Sequence, residues 1–396
     1  MEVKKIKLIE IANITMGQSP KSSSYNTNNV GMPFLQGNRT FGRLYPVIDT
    51  WTTEVKKIAK KNTILMSVRA PVGDLNIANN DICIGRGLCS IESVNNNNIY
   101  LYYLLLDSIK KIKLKSTGTV FESINRKELE GIEVNYFNEI EQLKISKILI
   151  YLDKKIELNN QINDNLYEII EECFIKYICE NRNKKVHKLS DYVTEIISGD
   201  WGKDSEIDNY DQKVLCIRGA DIPEIDKGNK GKSPVRYILE KNLTKKMLNG
   251  NEIVIEISGG SPTQSTGRCC FITSLFKERV KNNLICTNFC RAIRLKNNDL
   301  LPIFYMTFKQ LYKNKVMFIY ENGTTGIKNL DLNSLLENEW INIVSDDEIN
   351  KYNKLFYSLY NKIIENSIEN EKLEQLRDTL LPKLMNGEID LDKIEI

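Results

Sequence analysis

The sequence predicts an α+β fold written twice, in which two heads with twisted sheets are joined by two long antiparallel helices in a pseudo-two-fold, duplicated arrangement. Three observations carry that prediction. Segments of the first half recur in order in the second, and each half closes on a long stretch of helical periodicity. The intervening segments alternate β-branched or aromatic runs with Gly-, Asn- and Ser-rich connections.

The recurrence begins where Ile14-Thr15-Met16-Gly17-Gln18 matches Ile196-Ile197-Ser198-Gly199-Asp200, an offset of 182. Ile64 to Val68 then matches Ile253 to Ile257 at 189, and Leu88-Cys89-Ser90-Ile91 matches Phe289-Cys290-Arg291-Ala292 at 201. Thr117-Gly118-Thr119 matches Asn322-Gly323-Thr324 at 205, and the helices that follow match at 207. An offset that grows through the heads and levels off in the helices means longer loops in the second head and helices of equal length.

Within Glu139 to Ile178, Ile148, Leu152, Ile156, Asn159, Ile162, Leu166, Ile169 and Cys173 recur at steps of three and four, one face of a long helix. Asp346 to Met385 repeats this with Tyr352, Leu355, Leu359, Ile363, Leu373, Leu376, Leu380 and Leu384; Pro382 falls near its end and Gly387 suits a C-terminal cap. About 40 residues at about 1.5 Å each give a helix about 60 Å long. An apolar stripe of that length needs cover, so the two helices are expected to pack on each other.

Composition bounds the rest. A chain of 396 residues with 41% hydrophobic content supports two or three domains. The apolar runs are too short for a membrane span, and the N-terminus has no apolar core of signal-peptide length, so a cytoplasmic protein is expected. The nine cysteines contain no Cys-x-x-Cys pair and read as small packing residues rather than disulfides. A net charge of +3 permits nucleic-acid binding without indicating it.

Catalytic motifs are missing. No two prolines are adjacent, which excludes the Asn/Asp-Pro-Pro-aromatic motif of amino-methyltransferases. Gly228 to Ser233 lacks the first glycine of a Walker loop, because that position is Asp226. His187 is the single histidine, which excludes multi-histidine metal sites, and it reads as a solvent-facing linker residue.

The segment Leu376-Arg377-Asp378-Thr379-Leu380-Leu381-Pro382-Lys383-Leu384-Met385-Asn386-Gly387-Glu388-Ile389 resembles the ending of type I restriction-modification specificity subunits. Gly131-Ile132-Glu133-Val134 leading into Ile140-Glu141-Gln142-Leu143 is similar to the junction where that family's recognition domains enter a helix, and Gly17-Gln18-Ser19-Pro20 and Gly323-Thr324-Thr325-Gly326 are family-like pieces. The resemblance implies target-recognition domains at residues 1–138 and 183–345, with spacer helices at 139–182 and 346–396. Each domain would read half of a bipartite DNA site, and the spacers would set the half-site distance. It also implies a non-catalytic chain working with two methyltransferase subunits, which hold S-adenosylmethionine, and with restriction subunits, which hold ATP and Mg; this chain itself would bind no cofactor.

Base-edge and phosphate contacts favour Arg, Lys, Asn, Gln and Ser in loops at strand ends. The candidates are Gln18, Ser19, Lys21, Arg39, Arg43, Arg69 and Arg86 in the first head, and Trp201, Lys203, Arg218, Gln264, Thr266 and Arg268 in the second. For helix packing and partner docking they are Ile148, Leu152, Ile156, Ile162, Leu166, Ile169, Leu359, Ile363, Leu373, Leu376, Leu380 and Leu384. Two other readings share parts of the pattern. A coiled-coil protein adaptor without DNA specificity would bind its partner without a steep salt dependence, and a stand-alone nuclease would need an acidic metal cluster and activity without partners.

Overall fold

The computed structural model describes residues 4–116, 122–180, 186–261, 263–323, 327–343 and 345–393. The repeated Thr117-Gly118-Thr119 and residues 324–326 lie outside them. The chain forms two compact units, one of residues 1–158 with 370–396 and one of residues 159–369.

In the first unit, β1 (Lys4–Lys7) pairs antiparallel with a strand at Glu133–Tyr136. An antiparallel sheet joins β2 (Ala12–Met16), β3 (Ile64–Ser67), β4 (Leu75–Ile77) and β5 (Leu88–Ser93) in the order β2-β5-β3-β4. A second sheet holds Met32–Leu35 parallel to Ile82–Ile84. Successive β3 residues enter different cores: Ile64 and Met66 join Ile14, Ile91 and the tyrosine-rich helix α1 (Asn98–Asp107), whereas Leu65 joins Leu35, Ile82 and Ile84. Burial on both faces explains why β3 reads as an unbroken apolar run. Asn97, within the Asn run at 95–98, caps α1 by accepting the Tyr100 amide at 3.1 Å.

The second unit repeats this topology. Val186–Lys188 pairs with Trp340–Asn342, and a four-stranded sheet orders Val193–Ser198, Cys290–Leu295, Glu252–Glu256 and Cys269–Ile272. Gln212–Ile217 lies parallel to Asn283–Cys286. The registers correct one sequence offset. Ile91 pairs with both Ile14 and Ile64, and the residue paired with both Ile196 and Ile253 is Ile293, an offset of 202 rather than 201. A one-residue slip exchanges the two faces of a strand, so only the larger offset puts like residues in like cores. His187, expected in a solvent-facing linker, pairs with Ile341 inside a strand, its ring 5.5 Å from that of Tyr192. Three residues are too few to show strand periodicity in sequence.

The long helices are α2 (Glu139–Glu180) and α3 (Asp346–Met385). Gly387 follows at φ +72° with its amide 3.2 Å from the Leu384 carbonyl, as a C-terminal cap. Within the second unit, Phe174 meets Tyr352, Tyr167 meets Tyr360 and Asn163 bonds Asn366, so those segments run antiparallel. Within the first, Ile145 and Leu149 share a core with Leu381, Leu384 and Met385.

The buried face of α2 is rotated from the apolar stripe of the sequence. Its centre is Leu149, Asp153, Ile156, Asn159, Asn163, Ile170, Phe174 and Tyr177. Of the expected packing residues, Ile156, Ile363 and Leu384 are buried, and Ile148, Leu152, Ile162, Leu166, Leu359, Leu373 and Leu380 flank the seam half-buried. Ile169 and Leu376 point outward at 43% and 46% exposure. Following apolar letters misplaces the seam because its middle is polar. Asn159 Nδ2 donates to Glu369 Oε2 at 2.8 Å, and Asn366 Nδ2 to Asn163 Oδ1 at 2.8 Å.

In the first unit the polar centre is Asp153, whose carboxylate is 1% exposed. It accepts from Arg377 Nη1 at 2.8 Å, Arg43 Nη2 at 3.0 Å and Tyr103 Oη at 2.6 Å. Burial and the neighbouring carboxylate push the Tyr103 hydroxyl far above its ordinary value. Burial works against the charge on Arg377, but Asp153 and Asp378 outweigh it and hold the guanidinium more firmly protonated.

Candidate nucleic-acid interface

Each head ends in a rim where the two parallel strands of its second sheet finish beside the four-stranded sheet. In the first head the Gly85 amide donates to the Leu35 carbonyl at 2.8 Å, Gln18 to Ile84 at 2.9 Å and Val68 to Gly87 at 2.9 Å. The second head repeats all three: Thr287 donates to Ile217 at 2.9 Å, Asp200 to Cys286 at 2.9 Å and Ile257 to Phe289 at 2.8 Å. The rims therefore correspond residue by residue, Gln18 with Asp200, Ser19 with Trp201, Gln36 with Arg218, Arg69 with Ser258, Arg86 with Asn288 and Gly87 with Phe289.

Close backbone approach builds the rims. A Cβ on Gly17 would lie 2.1 Å from the Gly85 carbonyl oxygen, and one on Gly199 would lie 1.9 Å from that of Thr287. Only glycine lets the strand ends come this close.

In the first head the rim gathers Gln18, Ser19, Arg69 and Arg86. Ser19 Oγ donates to Gln36 Oε1 at 2.9 Å and accepts the Arg86 amide at 3.1 Å, while the Gln18, Arg69 and Arg86 side chains are exposed. Lys21 is exposed on the adjoining loop, its amide on Glu54 Oε2. Arg39 lines a neighbouring cavity of about 180 Å³ with Gln36 and Tyr25, and its guanidinium holds the Asp49 carboxyl below the usual range. Arg43 is not at the rim: Asp153 and Glu374 hold its guanidinium inside the unit.

In the second head Trp201 and Arg218 lie at the rim, with Lys203 exposed two residues on, its amide on the Tyr237 carbonyl. Trp201 is fixed from below by Arg236, whose guanidinium lies 4.1 Å from the ring centroid and donates to the Trp201 carbonyl at 2.7 Å. Arg218 is clamped by Asp221 through Nε at 3.0 Å and Nη2 at 2.9 Å. Gln264 is exposed on its loop. Two expected contacts are turned inward. Thr266 is fully buried, its amide and hydroxyl both donating to Glu321 Oε1, and Arg268 makes a two-armed pair with Glu256. Folding consumes their polar groups.

Gln36, Asn288 and Phe289 belong to the rims and were not singled out from sequence. The signal for Gln36 was present: Gln36-Gly37 and Arg218-Gly219 each follow a strand at the same offset as the first repeated pair. Phe289 gave none, because an aromatic next to Cys290 reads as core, yet it is 56% exposed.

The fold and its rims define a duplicated scaffold that presents two topologically equivalent recognition edges. Residues 1–168 match the model of the type I restriction modification DNA specificity domain. The chain is 40% identical over 167 residues to the MjaX type I restriction enzyme specificity subunit of Methanocaldococcus jannaschii, covering 40% of this chain and 39% of that one. It is 27% identical over 358 residues to the MjaIX specificity subunit of the same organism, covering 85% and 80%. The crystal structure of a type I restriction-modification system S subunit from M. genitalium has the same fold, with a TM-score of 0.62 at 17% identity over 97% of this chain and 96% of that one. The chain is thus similar to type I restriction enzyme specificity subunits in sequence over residues 1–168 and in fold over nearly its whole length.

Proposed function

We propose that this chain reads a split DNA site, each rim contacting one half, and that it supplies sequence specificity rather than chemistry to a cytoplasmic complex. The observation that carries this reading is the pair of rims, built on the same three backbone hydrogen bonds and different in side chains, which suits two unlike half-sites read by one geometry. Exposed Gln18, Arg69 and Arg86 match base-edge acceptors and phosphates in the first rim; Lys203, Arg218 and Asn288 supply the polar part of the second. Arg43, Thr266 and Arg268 serve to hold the heads.

In this reading two methyltransferase subunits dock on the chain and bring S-adenosylmethionine, and restriction subunits join with ATP and Mg. The long helices set the distance between the halves, and outward-facing apolar side chains such as Ile169 and Leu376 offer docking contacts. The test is co-purification with a type I methyltransferase subunit, followed by duplex binding across a salt series. Two methyltransferases per chain, with sequence-selective affinity that falls steeply with salt, are expected. A chain that recruits no methyltransferase and binds DNA without sequence preference would overturn the reading.

A further inference from the structure

The two rims differ most at two corresponding positions, where Ser19 and Gly87 of the first head become Trp201 and Phe289 of the second. In the first head the small residues leave an edge of hydrogen-bonding groups. In the second, Trp201, Ala220 and Phe289 surround a half-open cavity of about 460 Å³. Trp201 is 41% exposed and held rigid by the buried Arg236, which in turn pairs with Asp204, so little freedom remains to be lost on binding. Phe289 is carried on a backbone pinned by the Ile257 and Ser258 amides, at 2.8 and 3.2 Å from its carbonyl oxygen.

Exposed aromatic carbon fixed in place needs an apolar partner. In the major groove the apolar feature of a base pair is the thymine 5-methyl group. We infer that the second head reads thymine through that methyl group, seated between Trp201 and Phe289, whereas the first head reads its half-site by hydrogen bonds. The inference rests on the DNA-reading role proposed above. Exposed Lys203, two residues from Trp201, and exposed Lys232, whose carbonyl accepts from Arg218 Nη2 at 2.9 Å, provide the positive charge that a phosphate backbone requires.

The experiment uses the chain assembled with its methyltransferase subunits. Binding sites are selected from random duplexes, and the half belonging to the second head is identified as the one still discriminated after Arg69→Ala with Arg86→Ala. Each thymine of both halves is then replaced by deoxyuridine. One position in the second half is expected to lose about four-fold in affinity, the worth of one buried methyl group, and the loss should vanish in Phe289→Ala. Phe289 is exposed, so that variant folds; Trp201→Ser serves as an independent second variant. Selective binding without any uridine-sensitive position in that half would overturn the methyl inference while leaving the DNA-reading role intact. A uridine loss that persists in both variants would overturn it too, since the methyl group would be read elsewhere. Absence of any sequence-selective binding would remove both.

Discussion

Replacing Arg377 with Met tests whether the ion network around Asp153 holds the first unit together. The carboxylate is 1% exposed and has three donors, of which Arg377 at 2.8 Å is one. Breaking a buried ion pair outright costs about 3–5 kcal/mol, and a hydrogen bond to a charged group contributes about 1.5–3 kcal/mol. Because Arg43 and Tyr103 still satisfy Asp153, the lower part of that range applies, and about 2 kcal/mol is expected. In a unit of roughly this size each kcal/mol moves the midpoint by about 2–4 °C, giving a loss of about 4–8 °C. Calorimetry of the full chain would show this in the transition of the first unit and leave that of the second in place. Arg377→Lys keeps the charge but not the fork shared between Asp153 and Asp378, so an intermediate loss is expected. A midpoint for Arg377→Met within about 1 °C of the parent would refute the argument and mean that the carboxylate is effectively solvated.

Thiol labelling gives a second prediction. Burial pushes the Cys89, Cys216, Cys269 and Cys290 thiols up to about 12, whereas Cys179 is exposed; native protein should label rapidly at Cys179 and slowly at those four until denaturant is added, as peptide mapping would show. Burial alone would raise the Asp221 carboxyl, but the Arg218 side chain and amide outweigh it and hold it below the ordinary value. Its contribution to stability is therefore complete above about pH 4, the unfolded value, and is lost as pH falls through the folded one, so urea midpoints measured downward from pH 5 should fall more steeply in the parent than in Asp221→Asn. Lys309→Met removes the cation from Asp226, which also accepts from Tyr167 at 2.9 Å and from Tyr305; a loss of about 2–3 kcal/mol in the second unit is expected from urea titration. Gly17→Ala drives a Cβ into the Gly85 carbonyl, and should abolish discrimination of the first half-site in a binding competition while discrimination of the second survives.

Where periodicity and packing agree, the sequence was a sufficient guide. The Ile64 and Ile253 strands, both long helices and the Gly387 cap follow from local pattern alone. The helix seam did not, because buried Asp153 and Asn163 occupy positions that an apolar count assigns to solvent, and their partners are remote in sequence. Arg43 shows the same limit at the rim. An arginine in a polar loop looks available for DNA until the fold supplies Asp153 and Glu374. Thr266 differs in that burial rather than an ion pair removes it, and nothing within its Gly-rich loop announces Glu321. Ser19 and Trp201 were both legible as loop candidates, but their correspondence and the place of neighbouring Phe289 emerged only when equivalent backbone bonds aligned the two heads.

Residues 159–369 form one unbroken unit, while the other unit is assembled from both ends of the chain. Asn159 and Glu369, at the ends of the unbroken unit, bond each other at 2.8 Å, so its chain enters and leaves at one place. Synthesis therefore delivers the pieces out of structural order. The first head emerges before the second unit, but Leu381, Leu384 and Met385, which share its core, are made after it. At about 5–20 residues per second, the head waits many seconds with part of its apolar surface uncovered, and the inner unit can finish before the outer one. The residues of the second unit are thus all synthesised between the two parts of the first, instead of one unit following the other along the chain.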